Sequence, residues 1–387
     1  MADCRYNGGM PNDILRPANL VDNPDAFQKM LGAFKWISRL AVDTESNSLF
    51  AYDEQICLIQ FSTEKVDYLV DTLVGFDVSG LKPVFVDPKV EKIFHAAEYD
   101  ILCMKRDYGF EFANLFDTMQ AARVLGIEKL GLANLLADLF EVDHPKALQK
   151  ADWSKRPLTP EMCAYARMDT HYLMRLRDTL AGQLTEKNLL DLAHEDFNRL
   201  CQVEPNHKSK VLFTQVSGYH KLEPRTLRIL DELCCYRDGL ARKMDRPHFK
   251  VMGNSVLLAV ALAQPQTIQA LKKVDDVSPK ILERFGEELV AAVKRGLVLP
   301  PIELEKRKRP AQEYDDRLQA LQDWRKEAAG KMKVQSDIIL PRDVLEQIAA
   351  TRPRNLSDLK ALMLSIPWRF SQFGGEILKV VAKGKPS

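Results

Sequence analysis

Nothing in this 387-residue chain reads as a zinc site, a disulfide framework or a membrane span. Its seven cysteines stand at Cys4, Cys57, Cys103, Cys163, Cys201, Cys234 and Cys235. Their number is odd, no two are spaced as CxxC, and none lies near a histidine at zinc-ligand spacing. Paired thiols and a structural zinc are therefore excluded, and reduced thiols in a cytoplasm are expected. No apolar run reaches the roughly 18 residues that a membrane-spanning helix needs. The opening MADCRYNGGMPND has no basic flank followed by an apolar core, so no secretory signal is expected. The chain is also short of net charge: 55 Lys and Arg against 54 Asp and Glu leave +1.

That balance hides an asymmetry. Residues 1–200 hold 22 basic and 31 acidic side chains, a net of −9, and the remaining 33 and 23 give residues 201–387 a net of +10. Acidic pockets attract metal ions and basic surfaces attract nucleic-acid phosphates. Hydrophobic residues at 46% and charged residues at 28% describe a soluble globular protein, too long for one ordinary domain.

The first half reads as α/β. Residues 24–37 have a helical pattern, 39–44 (RLAVDT) that of a strand. ICLIQFS (56–62) and VDYLVD (66–71) read as an antiparallel pair, and EKIFHA (91–96) as a further strand. Helices are expected after Asp117, which stands as a cap, over 130–140, and over 160–184 with Pro160 at the first position. The second half reads as all helix and repeats itself at a shift of 88 residues. That shift pairs Leu230 with Leu318, Tyr236 with Trp324, Arg237 with Arg325, Val256-Leu257 with Val344-Leu345, and Phe285-Gly286 with Phe373-Gly374. Two copies of one small helical domain are expected. The implied division is 1–200, a connector 201–221, a first helical domain 222–299, a charged linker 300–313, and a second helical domain 314–387.

Three segments of the first half carry acids in a telling arrangement. Asp43 and Glu45 (AVDTESN) alternate on a strand, so both carboxylates leave one face. Asp100 follows a strand–helix junction begun by His95. Tyr165 and Asp169 (YARMD) are i and i+4 on a helix and share a face. Each segment alone has an ordinary explanation: a solvated strand edge, an acid at a helix N-terminus, a polar helix edge. Together they resemble the DEDD exonuclease superfamily, whose fold is like that of ribonuclease H. Tyr165, four places before Asp169, matches the tyrosine subclass; Ala164 stands where the histidine subclass has its histidine. The stretches LAVDTESNSLFAYDEQICLIQFST, KIFHAAEYDILCMKRDYG, NLFDTMQAARVLG and QKADWSKRPLTPEMCAYARMDTHYLMRL resemble ribonuclease D, and the two helical repeats resemble HRDC domains.

The resemblance implies a ribonuclease H-like domain with a mixed central sheet, followed by two all-α HRDC-like domains. It implies that Asp43, Glu45 and Asp169 hold one divalent cation. It also has Asp43 bridging to a second with the support of Asp100, and Tyr165 orienting the attacking water. Crowded carboxylates repel one another, and an oxygen-only ligand set favours Mg²⁺ or Mn²⁺. The expected activity is 3′→5′ hydrolysis of RNA, tRNA precursors or other structured RNA, to nucleoside 5′-monophosphates by a monomer with no membrane partner. A 3′→5′ DNA exonuclease shares the same acids. A catalytically dead nucleic-acid-binding adaptor would have lost some of them, and this chain retains all four and the tyrosine. His95, Trp153 and Arg156 are candidates for substrate contact, set against structural roles in a turn and in a packed loop. His171 reads as packing or as a support to the neighbouring acid. Lys306, Arg307, Lys308 and Arg309 read as a solvated linker or as phosphate contacts.

Overall fold

Among the described residues, six strands form one mixed sheet: β1 (Ala18–Val21), β2 (Arg39–Ser46), β3 (Ile56–Ser62), β4 (Asp67–Asp71), β5 (Glu91–Phe94) and β6 (Leu115–Asp117), in the order β1-β4-β3-β2-β5-β6. The computed structural model describes residues 18–145, 147–205, 211–304 and 311–383. β3 runs antiparallel to β2 and β4; the other pairings are parallel. Every residue of β3 is buried, in keeping with its almost unbroken apolar sequence and its place inside the sheet. The expected antiparallel pair is β3 and β4, and the strand bearing Asp43 and Glu45 is central, between β3 and β5.

The described α-helices that accompany the sheet are α1 (Pro24–Phe34), α2 (Lys82–Val86), α3 (Glu98–Tyr108), α4 (Thr118–Val124), α5 (Leu132–Phe140), α6 (Pro160–His171), α7 (Leu173–Glu186) and α8 (Leu190–Cys201). Alternation along the strands divides their side chains between two faces. Val42, Ile59, Phe61, Tyr68 and Val70 enter the main core with Phe27 and Phe34 of α1 and Phe85 of α2. The opposite face of β2, β3 and β4 carries Asp43 and Glu45, then Leu58, Gln60 and Ser62, then Asp67, Leu69 and Asp71, and α6 packs over it. Leu58 and Leu69 meet Met162, Cys163 and Ala166 in one apolar cluster. Ser62 Oγ lies 2.7 Å from Thr170 Oγ1, and His171 Nδ1 lies 2.7 Å from Asp67 Oδ2.

Those two polar contacts account for a departure from the sequence reading. The stretch 160–184 is not one helix, for α6 ends at His171 and α7 begins at Leu173, with Tyr172 between them. No glycine or proline marks the break. The end of α6 is fastened to the sheet, whereas α7 packs on α4, β2 and β5. β5 also stops early, at Phe94, because the chain turns at Ala96, whose φ is 63°. The buried Asp117 carboxylate accepts from the N–H groups of Ala96, Ala97, Met119 and Gln120, at 2.8–3.2 Å. One side chain thus caps α4, as expected, and fixes the turn that leads into α3. β1, β6 and α8 are elements the sequence reading does not contain.

The helical repeats obey the 88-residue shift to the residue. Pro224–Met244 (α9) corresponds to Gln312–Met332, Asn254–Ala263 to Arg342–Thr351, and Pro279–Val298 begins 88 residues before Pro367–Lys383. Even a side-chain contact repeats. Arg237 Nη1 donates to the carbonyl of Met252, and Arg325 Nη1 to that of Leu340, both at 3.0 Å. The chain nevertheless forms two compact units that cut across sequence order, 1–46 with 56–205 and 309–387, and 47–55 with 206–308. In the first unit the second repeat is fastened to α8 by Arg369. Its side chain is wholly buried and reaches Glu195, Asp196 and the carbonyl of Ile338 at 2.8–2.9 Å. In the second, Tyr52 Oη donates to Asp238 of α9 at 2.7 Å, and Tyr52 N to Asp245 Oδ1 at 3.0 Å. Lys306 to Arg309 lie outside the described residues. No helix among the described residues is long and apolar enough to cross a membrane.

Candidate active site

Asp43 and Glu45 leave the α6-facing side of β2, and α6 brings Asp169 down onto them. One carboxylate oxygen from each of the three lies within 4.8 Å of the others. Oxygens gathered that closely, with no nitrogen or sulfur among them, suit a hard cation such as Mg²⁺ or Mn²⁺. Asp100 stands beside this trio rather than in it. It sits in the first turn of α3, is 7% exposed, and accepts a hydrogen bond from Thr44 Oγ1. The Ala96 turn held by Asp117 delivers it there.

The electrostatics of the cluster are those of a site built to receive positive charge. Burial, and then the charges of Asp100, Asp169 and Glu45, raise Asp43 well above the ordinary carboxylate range. Burial, followed by Asp169 and Asp100, takes Glu45 up to about 9. Asp100 rises to about 7, chiefly by burial, against the lowering effect of the Thr44 hydrogen bond. Asp169 is raised by burial as well. Like charges in a low-dielectric pocket favour protonation unless cations replace the protons. Tyr165, one turn before Asp169, is also raised, by burial and then by the charges of Asp169, Glu45 and Asp43. A phenol raised in this way holds its proton and is poorly suited to act as a base.

One neighbour of the acids is absent from the sequence reading. His144, in the loop between α5 and α6, is 7% exposed and places Nε2 3.0 Å from Asp169 Oδ1, with its ring edge-on to Tyr165 at 5.6 Å. A lone histidine in a loop has no spacing that ties it to a distant acid, so only the fold reveals it.

The candidate substrate residues are engaged within the protein. Trp153 is 1% exposed and packs under Tyr165, with ring centroids 6.0 Å apart, so it has no free face on which to stack a base. Arg156 has its guanidinium fully engaged. Nε and Nη2 form a fork on Asp71, Nη2 also donates to the carbonyl of Cys57 at 2.9 Å, and Nη1 to those of Trp153 and Lys155 at 2.8 Å. The loop composition that suggested a groove in fact anchors the entry to α6. Arg156→Lys should cost about 1–3 kcal/mol, since an ammonium cannot reproduce the fork and leaves the nearly buried Asp71 underpaired. Denaturant unfolding checks this; unchanged stability with weakened RNA binding would restore the groove assignment. His95 is held by Thr118 Oγ1 at 2.9 Å, and burial, with His144 nearby, lowers it to about 4. It is a neutral ring fixing the strand–helix turn. His171 holds the end of α6 to the sheet through Asp67.

Comparison with known proteins agrees with this geometry. Residues 19–185 match the family described as 3′-5′ exonuclease, and residues 226–293 and 315–381 each match the HRDC domain. Protein RRP6-like 2 of Arabidopsis thaliana is 33% identical over 296 residues, which are 73% of this chain and 34% of that protein. The chain thus spans about a third of that relative's length. The crystal structure of the catalytic core of RRP6 from Trypanosoma brucei superposes with a TM-score of 0.62 at 27% identity, covering 77% of this chain and 83% of that one. Escherichia coli RNase D, described as an exoribonuclease involved in structured RNA processing, shares the fold with a TM-score of 0.69 at 22% identity, over 95% of this chain and 99% of that one. With its acids gathered where β2, α3 and α6 meet, the chain carries a 3′–5′ exonuclease domain of the DEDD type, followed by two HRDC domains.

Proposed function

We propose that this protein is a metal-dependent 3′–5′ exoribonuclease that trims tRNA precursors or other structured RNAs, releasing nucleoside 5′-monophosphates. The observation that carries the reading is the convergence of Asp43, Glu45 and Asp169 to within 4.8 Å, with Asp100 and Tyr165 beside them, in a domain of exonuclease type. The choice of RNA over DNA rests on the resemblance of the motif segments to ribonuclease D. The net charge of +10 in residues 201–387 supports a polyanionic substrate.

Asp43, Glu45 and Asp169 would hold one Mg²⁺ or Mn²⁺, and Asp43 with Asp100 a second. Such a pair of ions stabilises the attacking and departing oxygens of an in-line displacement. Tyr165 keeps its phenolic proton and orients the attacking water by donating to it. His144 braces the Asp169 carboxylate from outside. Thr44, by donating to Asp100, holds that carboxylate in place. None of the described cysteines is joined in a disulfide, consistent with a cytoplasmic setting, and a monomer is the assembly we propose.

The test uses matched RNA and DNA oligonucleotides with a labelled 5′ end, and a 3′-phosphorylated RNA as a blocked control. With Mg²⁺, the RNA should shorten stepwise from its free 3′ end and yield nucleoside 5′-monophosphates; a chelator should stop it. Equal or faster loss of the DNA would favour a DNA exonuclease. Hydrolysis indifferent to the chelator would remove the metal site from the mechanism.

A further inference from the structure

One buried polar side chain is explained neither by the fold nor by the four acids. Gln60 lies in the middle of β3, is 0% exposed, and has no hydrogen-bond partner for either carboxamide atom among the described residues. Buried amides are almost always satisfied, and an exception asks for a reason. Its surroundings make it more conspicuous. Of the β3 residues on the same face, Leu58 is apolar and packed against α6, and Ser62 is satisfied by Thr170. On the β4 side its cross-strand partner is Leu69, which offers no polar group. A plain core position here would hold leucine or methionine.

On the β2 side, the register pairs Gln60 directly with Asp43. Residues opposite one another on antiparallel strands project from the same face, with Cβ atoms about 4.5–5.5 Å apart. The unpaired carboxamide therefore leaves the sheet next to the acid at the centre of the cluster. A neutral amide there can orient a carboxylate without adding a positive charge that would compete with a cation. Lysine or arginine could not.

We propose that Gln60 is a positioning residue of the metal site. Its NH₂ group donates to Asp43 and its carbonyl accepts from water on the ion that Asp43 holds. In the protein alone the amide is unpaired; the ion would bring the water that the carbonyl accepts from, and would hold the Asp43 carboxylate where the NH₂ group reaches it. This deepens the exonuclease reading and rests on it. Removing such an outer support typically weakens metal affinity by about 10–100-fold.

The experiment compares wild type with Gln60→Met, which keeps the length and volume of the side chain and discards its polar atoms. Mg²⁺ binding is measured by calorimetry and melting is followed without metal. The expected result is a metal-free melting temperature equal to or above that of wild type, together with a Kd for Mg²⁺ raised about 10–100-fold. A Kd within about twofold of wild type would overturn the assignment and leave Gln60 a core residue. If wild type itself binds no Mg²⁺, the exonuclease reading fails first, which separates the two failures. A second measurement needs no variant. In wild-type protein labelled with ¹⁵N-glutamine, the Gln60 side-chain NH₂ signals should shift and gain exchange protection as Mg²⁺ is added. Signals that ignore the metal would equally refute the proposal.

Discussion

Asp43→Asn should reduce RNA hydrolysis by about 10³-fold or more while leaving a folded protein that still binds RNA. The size follows from the position of the residue. Asp43 feels the charges of Asp100, Asp169 and Glu45, so it is the acid at the centre of the cluster and the one that would touch both ions of the proposed pair. Losing a bridging ligand removes several kcal/mol of transition-state charge stabilisation, and each 1.4 kcal/mol is about a factor of ten in rate. The asparagine has the same shape, so strand register and core are untouched. In metal-free protein near neutral pH the substitution should raise the melting temperature, because folding no longer has to keep a proton on a buried carboxyl group crowded by three other acids. Single-turnover cleavage, RNA binding and melting curves measured on one preparation test all three parts. Turnover at the wild-type rate would remove Asp43 from the chemistry. Loss of RNA binding along with activity would show that the variant damaged the fold rather than the metal site.

How much of this was readable beforehand depends on whether the signal lay in spacing along the chain. Asp43 and Glu45 follow the two-residue period of a strand, and Tyr165 and Asp169 the four-residue step of a helix, so each pair could be assigned to one face. Asp100 had no such partner and became legible only through the resemblance of its surrounding segment. Gln60 and His144 reach the site through cross-strand register and loop placement, which no local pattern records. Trp153 and Arg156 show the opposite error. An aromatic and an arginine in a loop suggested base and phosphate contacts, but composition does not say whether such side chains point outward, and here both point in. The strands β1 and β6 hold four and three residues, too few for any alternation to stand out. The break at Tyr172 arises from tertiary bonds to Ser62 and Asp67, where a pattern search sees only continuous helix.

The pH dependence of stability should run opposite to that of a protein held by ordinary ion pairs. In metal-free protein Asp43, Glu45, Asp100 and Asp169 are all raised above their ordinary values, Glu45 to about 9 and Asp100 to about 7. The folded state therefore retains protons that the unfolded chain has already released. Stability falls with rising pH wherever the native state binds more protons, by about 1.4 kcal/mol per pH unit for each such group. The contribution of the cluster is thus most favourable at and below the usual carboxylate range, is lost progressively as pH climbs, and levels off only above the raised value of Glu45. Divalent cations take the place of those protons, so the melting temperature gained on adding Mg²⁺ should be small near pH 5 and grow toward about pH 9. Because other groups titrate too, the informative quantity is a difference. Metal-free Asp43→Asn minus metal-free wild type should widen as pH rises, since the variant has one buried carboxylate fewer to ionise. Differential scanning calorimetry across that range, with chelator and with Mg²⁺, makes the measurement. A difference independent of pH, or a Mg²⁺ gain largest in acid, would mean that the four carboxylates do not share one pocket.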